Sequence, residues 1–163
     1  MIRILRLQPD DAALLAQARA LREQVLLGPI GYDIDRFMRE YPGIENAFEH
    51  FVAVFDQPHP DGSVGPRVIG VACLLPDYPS PGVGKLMQMA VDLQRQGEGI
   101  GRRLVMAVES RAFGELGIEE LFCHARDEAI PFYAKLGWTT DPEPFTEAGI
   151  SHHRMTLRAE APA

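Results

Sequence analysis

The segment Gln96-Gly97-Glu98-Gly99-Ile100-Gly101-Arg102-Arg103 carries the densest chemical signal in this chain. Its three alternating glycines lie between an apolar, strand-like run and a stretch of helical periodicity. Glycine lets the backbone turn tightly and brings several N–H groups toward one point. Together with the positive end of a following helix dipole, such a loop makes an anion site suited to a pyrophosphate. A glycine-rich turn that merely starts a helix is the simpler alternative. Two other phosphate loops share part of the pattern, and both fail. A dinucleotide fingerprint needs a third glycine at position 102, which is Arg102, and it normally opens the first βαβ unit. Gly82-Val83-Gly84-Lys85 looks like the end of a nucleotide P-loop. Leu86 follows, however, where Ser or Thr should meet magnesium, and Pro79 stands at the first glycine position.

The elements around this loop are readable from periodicity. Ile2–Leu7 predicts a first strand, and Asp10 or Asp11 caps a helix whose Leu14, Leu15, Ala18, Leu21 and Val25 recur at helical spacing. Residues 28–46 hold a short helical piece, Ile34–Tyr41, between Gly/Pro signals. Phe51–Phe55 and Val68–Leu75 predict a hairpin across the loop Gln57–Pro66, and Lys85–Val91 predicts a fourth strand. After the glycines a helix runs to about Leu116, with Ile100, Leu104, Val108 and Ala112 as its buried stripe and Gly117 as its cap. A fifth strand at Glu120–His124 precedes a helix over Ala129–Leu136, with Pro131 in its first turn. A sixth strand starts at Gly137–Thr139, and Ile150–Leu157 makes a seventh. The sum is a mixed α/β (α+β) layer, mostly antiparallel, of about six to seven strands flanked by about four helices. The tail Ala159–Ala163 reads as frayed.

Composition narrows the possibilities. The chain has 163 residues, enough for one domain over 1–163 that buries roughly two thirds of its unfolded surface. A formal net charge of −7 argues against a nucleic-acid partner, because phosphate contacts need clustered Lys and Arg. The two cysteines, Cys73 and Cys123, each lie in an apolar stretch and read as buried free thiols rather than a disulfide. Neither has the spaced partners of a zinc site, so no metal is expected. The N-terminal residues hold no apolar run long enough for a signal peptide or a membrane span, so a cytoplasmic protein without a membrane partner is the expectation.

Beyond these physical readings, Gln96–Gly101 resembles the Q/R-x-x-G-x-G/A loop of the GNAT acyltransferase superfamily, with Met89-Ala90-Val91 at the usual distance before it. Ala129-Ile-Pro-Phe-Tyr-Ala-Lys-Leu-Gly-Trp138 resembles that superfamily's A-x-x-F-Y-x-K-x-G-F segment. Phe145–His152 and Leu21–Val25 are similar to one bacterial branch of it. The resemblance implies an enzyme that passes the acetyl group of acetyl-CoA to a primary amine by direct attack in a ternary complex. It assigns cofactor contacts to Met89, Ala90, Val91, Gln96, Gly97, Glu98, Gly99, Ile100, Gly101 and Arg102. The main chain of Met89 and Val91 would guide pantetheine, one N–H would meet the thioester carbonyl, and the amides from Gly97 to Arg102 would hold the pyrophosphate. The side chains of Arg102 and Arg103 read as a solvated helix face, with added charge beside the pyrophosphate as the alternative. Tyr133 stands where the family's tyrosine protonates the leaving thiolate, and a half-buried aromatic that helps Phe132 and Leu136 pack the helix is the plainer alternative. Arg126 departs from the pattern, since many relatives carry Asn there, and it receives no role.

The amine must also lose a proton. Glu49, His50, Asp92 and His124 fall near predicted strand ends, and a water chain is the alternative to them. His152 and His153 alternate across the last strand, so at most one faces a cleft, and they do not share a metal. The acceptor side falls to the first helix, residues 28–46 and the loop Phe145–Ser151, where Tyr32, Asp33, Asp35, Tyr41 and Glu45 suit a cation. An acidic loop face is the plainer alternative. A homodimer, common in similar proteins, and a non-catalytic acyl-CoA sensor stand as further alternatives. Longer acyl donors would depend on cavity depth near Met87 and Met89.

Overall fold

The computed structural model describes residues 1–58 and 60–160. His59 in the expected hairpin loop and residues 161–163 of the expected tail lie outside the described residues. Seven strands form one mixed sheet in the order β1-β2-β3-β4-β5-β7-β6. β1 (Arg3–Arg6), β2 (Glu49–Pro58) and β3 (Val64–Leu75) are antiparallel neighbours, and β4 (Val83–Val91) runs parallel to β5 (Glu120–Arg126). β6 (Thr139–Glu147) and β7 (Ile150–Arg158) are antiparallel to each other, and β7 is antiparallel to β5. The expected fold class holds. By contacts the chain forms two compact units, residues 1–74 with 88–108, and residues 75–87 with those from 109 on.

In the first unit, α1 (Ala12–Arg22) buries Ala18 and Leu21 and continues as wider π turns through Leu27. Its expected acidic cap is used differently. The Asp11 carboxylate accepts from the Gln8 amide at 2.7 Å and makes no capping bond to the helix. Gln17 fastens this helix to β3, accepting from the Val68 amide at 2.9 Å and donating to the Pro66 carbonyl at 3.2 Å. α2 (Ile34–Glu40) is capped as its sequence implies, with Asp33 accepting from the Arg36 amide at 2.7 Å. A further short helix, α3 (Ile44–Ala47), starts at left-handed Gly43, where an isolated turn carried no periodic signal.

α4 (Ile100–Glu109) is seated by one close approach. A Cβ on Gly70 of β3 would stand 2.9 Å from Ile100 Cγ2 and 3.0 Å from Leu104 Cδ1. Only glycine lets the first turn of α4 lie so near the strand. Ile100, Leu104 and Val105 are accordingly buried.

In the second unit, α5 (Ile130–Lys135) carries Pro131 in its first turn as expected. Gly137, at φ +91°, then reverses the chain so that Trp138 lies 5.4 Å, centroid to centroid, from the Tyr133 ring. One expectation is corrected here. Phe145–Ser151 is not a loop but the tip of the β6–β7 hairpin, in which Phe145 pairs with His152 and Glu147 with Ile150. Only Ala148 and Gly149 turn, both at positive φ. Neither cysteine is bonded to the other, and both are buried. Among the described residues no helix is long and apolar enough to cross a membrane.

Candidate functional site

The glycine loop has the backbone that its composition implies. Gly97 and Gly99 take φ of +86° and +80°, where a side chain is strained. A Cβ built on either would meet nothing within 4 Å, so the loop is open on that side. The first α-helical bond of α4 runs from the Arg103 amide to the Gly99 carbonyl at 3.2 Å. The amides of Ile100, Gly101 and Arg102 therefore precede any intrahelical acceptor and point out of the helix start. Gly101 differs from its neighbours, because it lies inside the first helical turn and not at positive φ.

Side chains around the loop sort by what they touch. Gln96 Nε2 donates to the Val91 carbonyl at 3.3 Å and ties the loop back to β4. Glu98 pairs with Arg95 at 3.0 Å, which offsets a carboxylate beside an anion loop. Ile100 is buried against β3, so only its amide is available to a ligand. Arg102 is exposed. Arg103 donates to the Ile2 carbonyl at 3.1 Å and so has a structural contact.

In β4, Met89 and Val91 are half-buried and Ala90 is buried. Immediately before them Gln88 stands at φ +53°, a left-handed residue inside a strand. Such a conformation costs on the order of 1 kcal/mol or more and needs outside support. The support is Arg22, whose Nε donates to Gln88 Oε1 at 3.2 Å. Arg22 is fully buried and grips Glu45 with two further bonds, 2.9 and 2.8 Å. Phe37 and Phe48 lie within 5.7 and 5.6 Å of its guanidinium. Burial works to raise the Glu45 pKa, but the bonds from Arg22 and its charge outweigh that and leave it below the ordinary carboxylate value. Glu45 therefore leaves the expected set of acceptor-facing acids, because it is sealed inside the unit.

His50, a candidate base, lies in the same cluster, 3.6 Å from Glu45 and 3.5 Å from Cys73 Sγ. Burial lowers its pKa to about 4 and pushes the Cys73 thiol up to about 12. Glu49 faces Arg6 at 3.9 Å. Asp92 accepts from the Gln94 amide at 2.9 Å and pairs with Arg67 at 3.2 Å. These three candidates are engaged.

In the second unit Tyr133 is buried, with Phe132 5.0 Å away edge-on and its hydroxyl bonded to Cys123. Burial, then the Cys123 thiol, raises its pKa, so the phenol is protonated at neutral pH. His124 projects from the other face of β5, with Nδ1 3.0 Å from Glu147 Oε1. His152 Nδ1 donates to the Ile150 carbonyl at 2.7 Å, while His153 Nδ1 pairs with Asp127 at 2.7 Å. The two histidines thus part to opposite faces, as their alternation requires. Arg126, half-buried, ends β5 in register with His152. Among the described residues no group of three or more His, Cys, Asp or Glu is placed to hold a metal ion.

Sequence reasoning missed Glu147, Arg22 and Gln88. The two-residue Ala148-Gly149 turn was a usable signal for the first, because it puts Phe145, Glu147 and His152 on one hairpin face.

Comparison with known proteins adds an independent line. Residues 64–159 match the family described as Acetyltransferase (GNAT) domain. A candidate acetyltransferase of Bacillus subtilis is 29% identical over 147 residues, 90% of this chain and 91% of the relative. The crystal structure of a candidate N-acetyltransferase from Lactobacillus plantarum superposes with a TM-score of 0.74 at 23% identity, covering 96% of this chain and 97% of that one. A Bacillus subtilis acetyltransferase solved in complex with CoA superposes with a TM-score of 0.63 at 20% identity, covering 98% and 100%.

Proposed function

We propose, starting from the fact that this chain belongs to the GNAT acetyltransferase family, that it transfers the acetyl group of acetyl-CoA to a primary amine by direct attack in a ternary complex. The observation that carries the reading is the loop from Gly97 to Arg102: two left-handed glycines, an open side, and helix-start amides without intrahelical acceptors. That arrangement suits a diphosphate, and a likeness of this chain was solved with CoA. The acceptor is a small molecule or a peptide amine.

In this reading the amides of Gly97–Arg102 hold the pyrophosphate, with Gln96 fixing the loop to the strand that follows pantetheine. The main chain of Met89 and Val91 guides the arm, and a β4 amide meets the developing oxyanion. Tyr133, protonated at neutral pH, gives its proton to the departing thiolate. Its present bond to Cys123 would be exchanged for one to the thioester sulfur.

The test is release of CoA from acetyl-CoA with spermidine, tyramine, glucosamine and a free-amine peptide, run beside Tyr133→Phe. Amine-dependent release that falls roughly 100-fold or more in the variant supports the reading. Tight acetyl-CoA binding with no amine-dependent release contradicts it.

A further inference from the structure

We propose that His124 is the general base that takes the proton from the acceptor ammonium, with Glu147 as the positioning residue that orients its ring. The inference rests on the acetyl-transfer reading above and fills the one role which that reading leaves unassigned. An alkyl ammonium has no lone pair, so some group must accept its proton before or during attack. His50 is sealed beside Glu45, and Asp92 and Glu49 face arginines. His124 is the most exposed of the four, its side chain 26% exposed against 20% for Glu49, 16% for Asp92 and 9% for His50, and its partner is a carboxylate that orients a ring with a second nitrogen to spare.

The geometry is that of an oriented imidazole. Glu147 Oε1 accepts from Nδ1–H at 3.0 Å, which leaves the lone pair on Nε2. Phe145 lies edge-on to the ring at 4.8 Å, and Phe122 lies 5.9 Å away, so the rotamer is held from two sides. Side chains alternate along β5, so Cys123, which bonds Tyr133, and His124 project from opposite faces of one strand.

Other ionisable groups share the His124 face. Glu147 comes from β6, His152 and Arg154 from β7, Lys85 from β4, and Arg126 from β5 itself. His152 Nε2 lies 3.7 Å from Glu147 Oε2, and the Arg154 guanidinium covers the Phe122 ring at 3.9 Å. A measured limb in the pH profile therefore belongs to this cluster as a unit.

His124 Nε2 first takes a proton from the ammonium and passes it to water, and the neutral amine nitrogen then forms a bond to the thioester carbon. The carbon–sulfur bond breaks, and the thiolate takes the Tyr133 proton. The second proton, shed by the acylated nitrogen, returns Tyr133 to the phenol. The products are the acetamide and free CoA.

The experiment measures CoA release across pH for the wild type, His124→Gln and Glu147→Gln, with spermidine and tyramine as protonated amines and hydroxylamine as a nucleophile mostly unprotonated at neutral pH. His124→Gln is expected to lose about 100-fold or more in kcat with the protonated amines. It should lose only a few-fold with hydroxylamine, and its acidic limb should disappear. Glu147→Gln should show a smaller kcat loss and a displaced limb. Acetyl-CoA affinity, read by calorimetry, should change less than about twofold in both. Wild-type turnover with His124→Gln equally active, or equally impaired with both kinds of nucleophile, overturns the base assignment alone. No turnover by the wild type with any nucleophile overturns the acetyl-transfer reading, and the base assignment with it.

Discussion

Two carboxylates in this protein keep similar company in opposite surroundings. Glu45 sits between Arg22, Arg19 and His50 and is 2% exposed. Glu147 sits between His124 and His152, and its side chain is 47% exposed. In the first, Arg22 and His50 are buried with the carboxylate while Arg19 is 33% exposed, and the group binds helices to strands, with Arg22 also bonding the Gln88 side chain. In the second, the carboxylate bonds Nδ1 of an imidazole whose side chain is 26% exposed. The lesson is that partner identity does not separate a structural cluster from a reactive one. Under the proposal above burial does, because a sealed imidazole cannot exchange protons with a substrate.

Removing each carboxylate gives the sharpest contrast. Glu45→Ala leaves the Arg22 charge buried without its carboxylate and should cost about 3–5 kcal/mol in urea unfolding. Arg22→Met with Glu45→Leu should restore most of that stability, since apolar packing replaces the pair without stranding a charge. If the single and double variants are equally unstable, Glu45 is not a buried pair partner but a packing element.

His50 sharpens the same point through pH. Its folded pKa of about 4 lies below the ordinary value of 6.5, so the unfolded chain binds its proton first. Its contribution is whole above pH 6.5 and is lost as pH falls toward 4, amounting to about 3 kcal/mol. Urea midpoints measured across that window should decline with falling pH, and His50→Gln should flatten the decline. A midpoint that rises on acidification would contradict the sealed cluster.

Smaller effects belong to exposed positions. Gly99→Ala forces a side chain into φ +80° and should cost about 1–2 kcal/mol, with a parallel loss of acetyl-CoA affinity by calorimetry. Glu147→Gln should change stability by less than about 1 kcal/mol, because the carboxylate itself is 47% exposed and solvent-screened. A large destabilisation by Glu147→Gln would make the open cluster structural and remove the contrast.

What the sequence disclosed follows from locality. The glycine loop and the Tyr133 segment announce themselves because their geometry is set within a few residues: left-handed glycines at a helix start, and Gly137 folding Trp138 back onto Tyr133. The strands around them follow from alternation. Glu45 was illegible because it lies in a Pro/Gly-rich stretch that looks like a surface loop, and its arginine is 23 residues away. Gln88 was illegible because its left-handed φ is not announced by glycine, and the arginine that bonds its side chain is 66 residues away. Glu147 was obscured by taking a hairpin tip for a loop, which hid the face it shares with His152.

The most direct test of the central claim is an amide-resolved nuclear magnetic resonance titration with CoA. Saturable shifts of the Gly97, Gly99, Ile100, Gly101 and Arg102 amide signals, with those of β1 unmoved, are the predicted result. Saturable binding that leaves these five amides unshifted, or no binding by folded protein, would contradict it.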